Sequence, residues 1–436
     1  MKAAVRWGLQ HGVVRAATAR AARGGDLHPE FMRDPSYRAD PFPFYEKVRA
    51  AGELVPGRFV NVTASYDVCA QVLRTDDWRA GTDEDLLPRP LARLTRWARD
   101  PRALGPIDPP SMLVTEPPDH TRYRRLVSKV FTARAVEGLR PRVEQIASGL
   151  LDRMAGEREV DLVAAYASQL PISVIAEILG VPEQDHARVL RLGHLAAPSL
   201  DVGLSYREHR VVDRAVREFQ AWLDGHLERL RADPGEDLLS QLVQVEDEGQ
   251  RLDPTELRST AGLLLAAGFE TTVNLIGSAV HLLLTHPDQL AAVQADPALW
   301  PGAVEESLRL EGPVQLTGRF ATRQTELAGR AMPRGSLVVT YLGGANRDPA
   351  VFPDPAAFDV RRANARDHLS FSAGRHFCLG SALARLEGET ALRMLFERFP
   401  ELASAGPGRR RRTRVLRGWE TLPVSTGTVD GRQPRE

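Results

Sequence analysis

Phe371-Ser372-Ala373-Gly374-Arg375-His376-Phe377-Cys378-Leu379-Gly380 carries one of the two cysteines of the chain, and Ser381 to Glu387 continues it as a helical pattern. Glycines at 374 and 380 permit backbone conformations and a close approach that a Cβ would block. The loop can therefore turn N–H groups toward the Cys378 sulfur. A helix beginning two or three residues later adds positive potential, which favours a thiolate and with it a bond to a metal. The other cysteine, Cys69, lies on the apolar helical face of Tyr66 to Leu73 and reads as a small core residue. Two cysteines this far apart form no zinc or redox spacing and no disulfide framework, which fits a reducing compartment.

Upstream, Asp253-Pro254-Thr255-Glu256 supplies an N-cap, a first-turn proline and a glutamate three residues after the cap. The helix it opens need not stop before His286-Pro287, and ~32 residues span about 48 Å. The pattern is nearly apolar all round between Leu263 and Ala279, so this helix is expected to cross the core. Within it, Ala267-Gly268-Phe269-Glu270-Thr271-Thr272 sets an acid and two alcohols beside a glycine, against helical preference. Such a local conflict points to function. Glu306 and Arg309 stand one turn apart, a spacing that by itself describes a surface pair worth ~0–1 kcal/mol. His120 and Arg124, at i and i+4 in the stretch Thr115 to Phe131, share one helical face, and two cations so placed suit carboxylates.

In this order, over roughly Asp40 to Pro423, these motifs resemble those of the cytochrome P-450 superfamily, and the wording is most like the actinobacterial P-450 family 140. The resemblance implies a mainly α fold with a smaller β-rich region and a long central helix crossing over a haem. It implies Cys378 as the axial thiolate of heme b iron, with Phe371, Gly374, His376 and Gly380 around the cofactor. His120, Arg124 and Arg319 would reach the propionates, and Ala267 and Gly268 would leave room on the opposite face. Glu270 is then the acid and Thr271 the alcohol of proton delivery. Glu306, Arg309 and Arg362 form a structural triad in which Arg361 is the competing third member. Ser372 departs from the pattern, where glycine is common.

The implied activity is that of an oxidoreductase: one oxygen atom of O2 enters a lipophilic small molecule, with two electrons from NAD(P)H through separate ferredoxin and reductase partners. No Gly-x-Gly-x-x-Gly fingerprint is present, so the reductase is expected to be another protein. A peroxide-using or oxidative-coupling enzyme of the same fold, or a haem or ligand binder without turnover, are the alternatives. The Glu270-Thr271 pair weighs against both.

Lys plus Arg and Asp plus Glu both number 57, giving a formal net charge of zero, which offers nucleic acid no global attraction. No run of eighteen apolar residues exists, so no transmembrane anchor is expected, and with no secretory signal in view a cytoplasmic location is the expectation. Residues 1–30 read as a basic arm packed on a single domain spanning 31–436. Trp78 to Met112 reads as a long proline-rich loop. With the turn at 196–205, Leu263 to Ala267, Val314 to Thr317 and Trp419 to Thr421, it would line an apolar substrate pocket. The basic helix near Arg122 to Lys129 is a candidate docking face for the electron donor. Arg409 to Arg412 plus Arg414 read as a solvated hairpin.

Overall fold

The computed structural model describes residues 2–81, 88–130, 132–245 and 251–427. The expected end of the His120 helix at Phe131 and part of the proline-rich stretch lie outside them. In chain order the principal helices are α1 (Lys2–Trp7), α2 (Val13–Ala22), α3 (Phe42–Ala51), α4 (Tyr66–Arg74), α5 (Arg89–Ala98), α6 (Asp119–Val130), α7 (Arg140–Met154) and α8 (Gln169–Ile178). They continue with α9 (Glu183–Ala196), α10 (Tyr206–Ala232), α11 (Pro254–Thr285), α12 (Trp300–Glu311) and α13 (Ser381–Arg398).

The central helix α11 begins and ends where its caps dictate. The Asp253 side chain accepts N–H bonds from Thr255 and Glu256, and the Glu256 carboxylate in turn accepts one from the Asp253 N–H. This closes a capping box, which satisfies orphan donors of the first turn. By length and composition α11 could cross a membrane, but most of its apolar window is buried against other helices. It packs on α8, α12 and α13, and Leu265, Phe269, Val273 and Ile276 join the largest hydrophobic cluster.

A small sheet forms the second region. Strands β1 (Asn61–Thr63), β2 (Trp78–Arg79), β3 (Leu316–Ala321) and β4 (Leu337–Tyr341) lie in the order β1-β4-β3-β2. β1 runs parallel to β4, with Val62 opposite Val339, and β3 is antiparallel to it, with Arg319 opposite Val338. That register delivers Arg319 from the sheet.

Two expectations change, those for the proline-rich stretch and for the arginine run. The proline-rich stretch contains α5, whose Leu91, Leu94 and Trp97 repeat at helical spacing but stay exposed. The N-terminal residues are a helical pair clasped to the body: Arg6 ion-pairs with Asp213, and Trp7 Nε1 donates to the Leu204 carbonyl at 3.0 Å. The arginine run near the C-terminus is not a solvated hairpin throughout. Arg409–Arg410 does pair with Trp419–Thr421, but Arg410 turns inward to Glu311 at 3.1 Å and Arg411 to Glu270 at 2.8 Å. Trp419 is packed between Arg410 and His281 rather than lining an open wall. Buried carboxylates recruit these cations, because an unpaired charge in the interior is costly.

Candidate active site

The Cys378 loop is held from both ends. The Cys378 N–H donates to the Phe371 carbonyl at 2.9 Å, and α13 starts three residues after the sulfur. Gly374 takes φ +66, and a Cβ there would collide with the Leu73 carbonyl. Ser372 also adopts a left-handed φ of +62, which explains why glycine suits that position. Phe371 is buried under the Arg385 guanidinium, 4.6 Å from the ring centroid. Cys69 is buried as expected, whereas the Cys378 side chain is exposed at the floor of a recess. Burial around the recess pushes the thiol pKa up, opposed by the Gly380 N–H and by the charges of Arg124 and Arg385. Among the described residues no atom occupies the space that a Cβ at Gly380 would enter. An open sulfur with an N–H aimed at it is a donor suited to haem iron, and no group of three or more metal-binding side chains occurs among the described residues.

Cations gather beside the loop. His120 is buried, its ring centroid 4.5 Å from that of His376, and burial followed by the charges of His376 and Arg124 lowers its pKa to about 4. Arg319 is buried, with the Thr317 hydroxyl and the Gly318 carbonyl as its hydrogen-bond acceptors among the described residues. Burial depresses even this guanidinium, to about 10. Neither Arg319 nor Arg124 forms an ion pair with a described residue. Buried or half-buried cations short of carboxylates are what two propionates would complete. Glu116, which sequence reasoning passed over, is already engaged: it accepts from Arg375 at 2.8 Å, from His376 at 3.2 Å and from the Ala80 N–H at 2.6 Å. Nothing local in Glu116-Pro117-Pro118 signals this brace. Arg122 is engaged as well, by Glu256 at 3.0 Å and the Arg251 carbonyl.

On α11, Ala267 is exposed in the middle of an otherwise buried helix, and the Thr271 hydroxyl donates to its carbonyl at 2.9 Å. Gly268 serves another purpose than expected. A Cβ there would lie 2.7 Å from Ile175 Cγ1, so the glycine sets the approach of α11 to α8 and the room it leaves goes to Ile175. Glu270 is 4% exposed. Burial raises its pKa, and the Arg411 cation opposes that shift.

Glu306, Arg309 and Arg362 meet as a buried cluster, with Arg362 Nε 2.9 Å from Glu306 Oε1, while Arg361 is exposed. A second cluster was not legible: Glu305 accepts from Arg385 at 2.6 Å and lies 3.1 Å from His368 Nε2. It ties α12 to the helix that follows the cysteine.

A helical body with one long core-crossing helix, a small sheet and an exposed cysteine ringed by cations defines a haem-thiolate protein. A profile described as cytochrome P-450 matches residues 202–297 and 299–406. The chain is 54% identical over 431 residues to cytochrome P-450 140 of Mycobacterium tuberculosis, covering 98% of each chain. It is 42% identical over 402 residues to the 6-deoxyerythronolide B hydroxylase of Saccharopolyspora erythraea, covering 90% of this chain and 98% of that one. Among solved structures, the bacillaene polyketide synthase cytochrome P-450 PksS of Bacillus subtilis superposes with a TM-score of 0.80 at 33% identity, covering 91% of this chain and all of that one. The chain belongs to the cytochrome P-450 family and is an oxidoreductase that uses haem.

Proposed function

We propose that the protein inserts one oxygen atom from O2 into a lipophilic small molecule. Cys378 holds the iron, and Glu270 with Thr271 delivers protons. The observation that carries this reading is the exposed Cys378 sulfur with the Gly380 N–H aimed at it, in a loop that the Phe371 carbonyl and Gly374 hold in place. Haem with a thiolate ligand supplies the activation of dioxygen. His120, Arg124 and Arg319 would anchor the propionates, with His376 beside His120. Phe371 and Gly374 shape the loop, and Gly380 leaves its open side clear. Ala267 keeps the middle of α11 small. The Thr271 hydroxyl, now donating to Ala267, can rotate to donate toward the recess, and Glu270 restores its proton. Such positioned acid–base pairs contribute typically 10²–10⁴-fold.

The substrate is apolar and of moderate size, and the relative named 6-deoxyerythronolide B hydroxylase makes 6-deoxyerythronolide B the first compound to screen. Electrons come from a separate ferredoxin-type donor. Residues 31–436 act as one catalytic domain, with 1–30 as an arm, in the cytoplasm. The test is the carbon monoxide difference spectrum of the reduced protein. A strongly red-shifted Soret band is expected in wild type and its loss in Cys378→Ala. An unchanged band in the variant rules out the ligand assignment.

A further inference from the structure

Glu270 has two charged or titratable neighbours, each from a different part of the fold. Arg411 Nη1 lies 2.8 Å from its Oε1, and His194 Nε2 lies 3.5 Å from its Oε2. The second contact follows from how two helices cross. Gly193 of α9 faces Phe269 of α11 so closely that a Cβ at 193 would collide with the ring. With the helices this near, the next residue on each, His194 and Glu270, meet. The His194 ring also stands edge-on to Phe269, with centroids 6.1 Å apart.

His194 has a second surface. Between α8 and α9 runs a cleft of about 770 Å³, lined by apolar side chains such as Ile172 and Leu190 together with Ser173, Glu183, His186 and Arg191, and His194 is part of its wall. The His194 side chain is 32% exposed, whereas that of Glu270 is 5% exposed. Nε2 is sealed from solvent without a hydrogen-bond partner of good geometry, and both Glu270 oxygens share that state. Glu270 is thus cut off from water on its own. Among the described residues His194 touches both it and the cleft.

We propose that His194 is the proton-entry residue of Glu270, acting through that carboxylate as a positioning residue of the relay. The proposal rests on the reading of Glu270 as the proton donor. A neutral imidazole with its proton on Nε2 accepts a proton at Nδ1 from cleft water and passes the Nε2 proton to Glu270. One proton enters and one leaves, and the first tautomer returns when the ring swings to the cleft, where water takes the Nδ1 proton and gives one to Nε2, and swings back. The charges around the ring suit transfer rather than storage. Burial and then Arg411 lower the His194 pKa to about 4, so the imidazolium does not persist. From α11 the ring faces Glu270 and from the C-terminal segment Arg411, while Glu183, His186, Arg191 and Arg153 share the cleft.

The test compares haem-loaded wild type with His194→Phe, His194→Gln and Glu270→Gln, using one surrogate ligand that shifts the haem spin state and is hydroxylated. Both His194 variants should lower kcat by about tenfold and enlarge the solvent deuterium isotope effect, while ligand Kd and the carbon monoxide spectrum stay unchanged. Gln keeps a hydrogen-bond donor but cannot relay, so wild-type kcat and isotope effect in His194→Gln overturn the proposal. A second readout needs no turnover: the ¹⁵N signal of His194, assigned by its loss in His194→Phe, should move on Glu270→Gln. An unmoved signal also overturns it. If Glu270→Gln turns over like wild type, the relay reading itself fails and takes this proposal with it. If Glu270→Gln is slow while both His194 variants are fast, only the entry residue is wrong.

Discussion

Arg309 grips Glu306 through two hydrogen bonds, Nε to Oε2 and Nη2 to Oε1, both 2.7 Å long, and neither side chain exposes any surface. The rest of the guanidinium donates to the carbonyls of Asn346, Pro355 and Ala357, while Arg362 and the Asp359 N–H complete the Glu306 carboxylate. Removing the carboxylate strands a fully buried cation. Glu306→Ala should therefore lose about 3–5 kcal/mol in urea denaturation and fail to retain haem, with Glu306→Gln intermediate. A loss below about 1 kcal/mol would put this pair in the class of surface bridges.

Glu305 predicts a pH dependence. Burial pushes its carboxyl pKa up, but hydrogen bonds from His368 and Arg385 outweigh burial and hold it at about 2. A depressed folded-state pKa gives stability that is present above the ordinary value of 4.5 and is lost as pH falls toward 2. Glu305→Gln should thus cost about 2–3 kcal/mol at neutral pH, and the gap to wild type should close below pH 4.5. Stability measured against pH in both proteins checks this. A gap that stays constant down to pH 2 would contradict it.

The parts of this site that were legible in the sequence are those whose chemistry is local. The cysteine loop and the capped helix at Asp253 announce themselves through spacing and a cap, whereas the Glu306, Arg309 and Arg362 set was reached only through the family resemblance, since Arg362 lies 56 residues from Glu306. Glu116, His194 and Arg411 do not, because their partners lie far away in sequence: His376 for the first, Glu270 for the other two. A run of arginines reads as solvated until the carboxylates that recruit it are placed. Gly268 misled for the same reason, since a glycine next to a functional acid can equally serve the neighbouring helix. Helix α5 went unread because its apolar residues are exposed and prolines at 88 and 90 precede them.

Arg411 is the cation that opposes the upward pKa shift of Glu270. Replacing it by leucine leaves burial unopposed, so the Glu270 pKa should rise further. In a pH profile of product formed per NADPH, the limb assigned by its loss in Glu270→Gln should move to higher pH in Arg411→Leu. A limb that stays in place would mean that the 2.8 Å contact does not govern the acid.

Thr271→Ala should separate electron consumption from product formation. Among the described residues the hydroxyl donates to the Ala267 carbonyl alone, within its own turn, so its loss should change folding stability by less than about 1 kcal/mol. Product per NADPH should fall roughly tenfold or more, with the missing equivalents recovered as hydrogen peroxide. Thr271→Ser should keep most of the coupling. Full coupling in the alanine variant would remove the alcohol from the relay.

The two glycines flanking Cys378 should fail in different ways when given a Cβ. At Gly374 the backbone has φ +66 and the added carbon meets the Leu73 carbonyl, so Gly374→Ala carries both backbone strain and a collision. It should lose about 2 kcal/mol or more in the haem-free protein, and haem retention should fall as a consequence. At Gly380 φ is −83, and among the described residues the new carbon would meet nothing within 4 Å. Gly380→Ala should leave haem-free stability unchanged or raise it by about 0.5 kcal/mol, through a less flexible unfolded chain. Its penalty should appear only when haem is added, as a lower loading ratio and a weaker carbon monoxide band, because the methyl enters the open space beside the sulfur. Equal loading in Gly380→Ala and wild type would show that the cofactor does not approach the loop from that side.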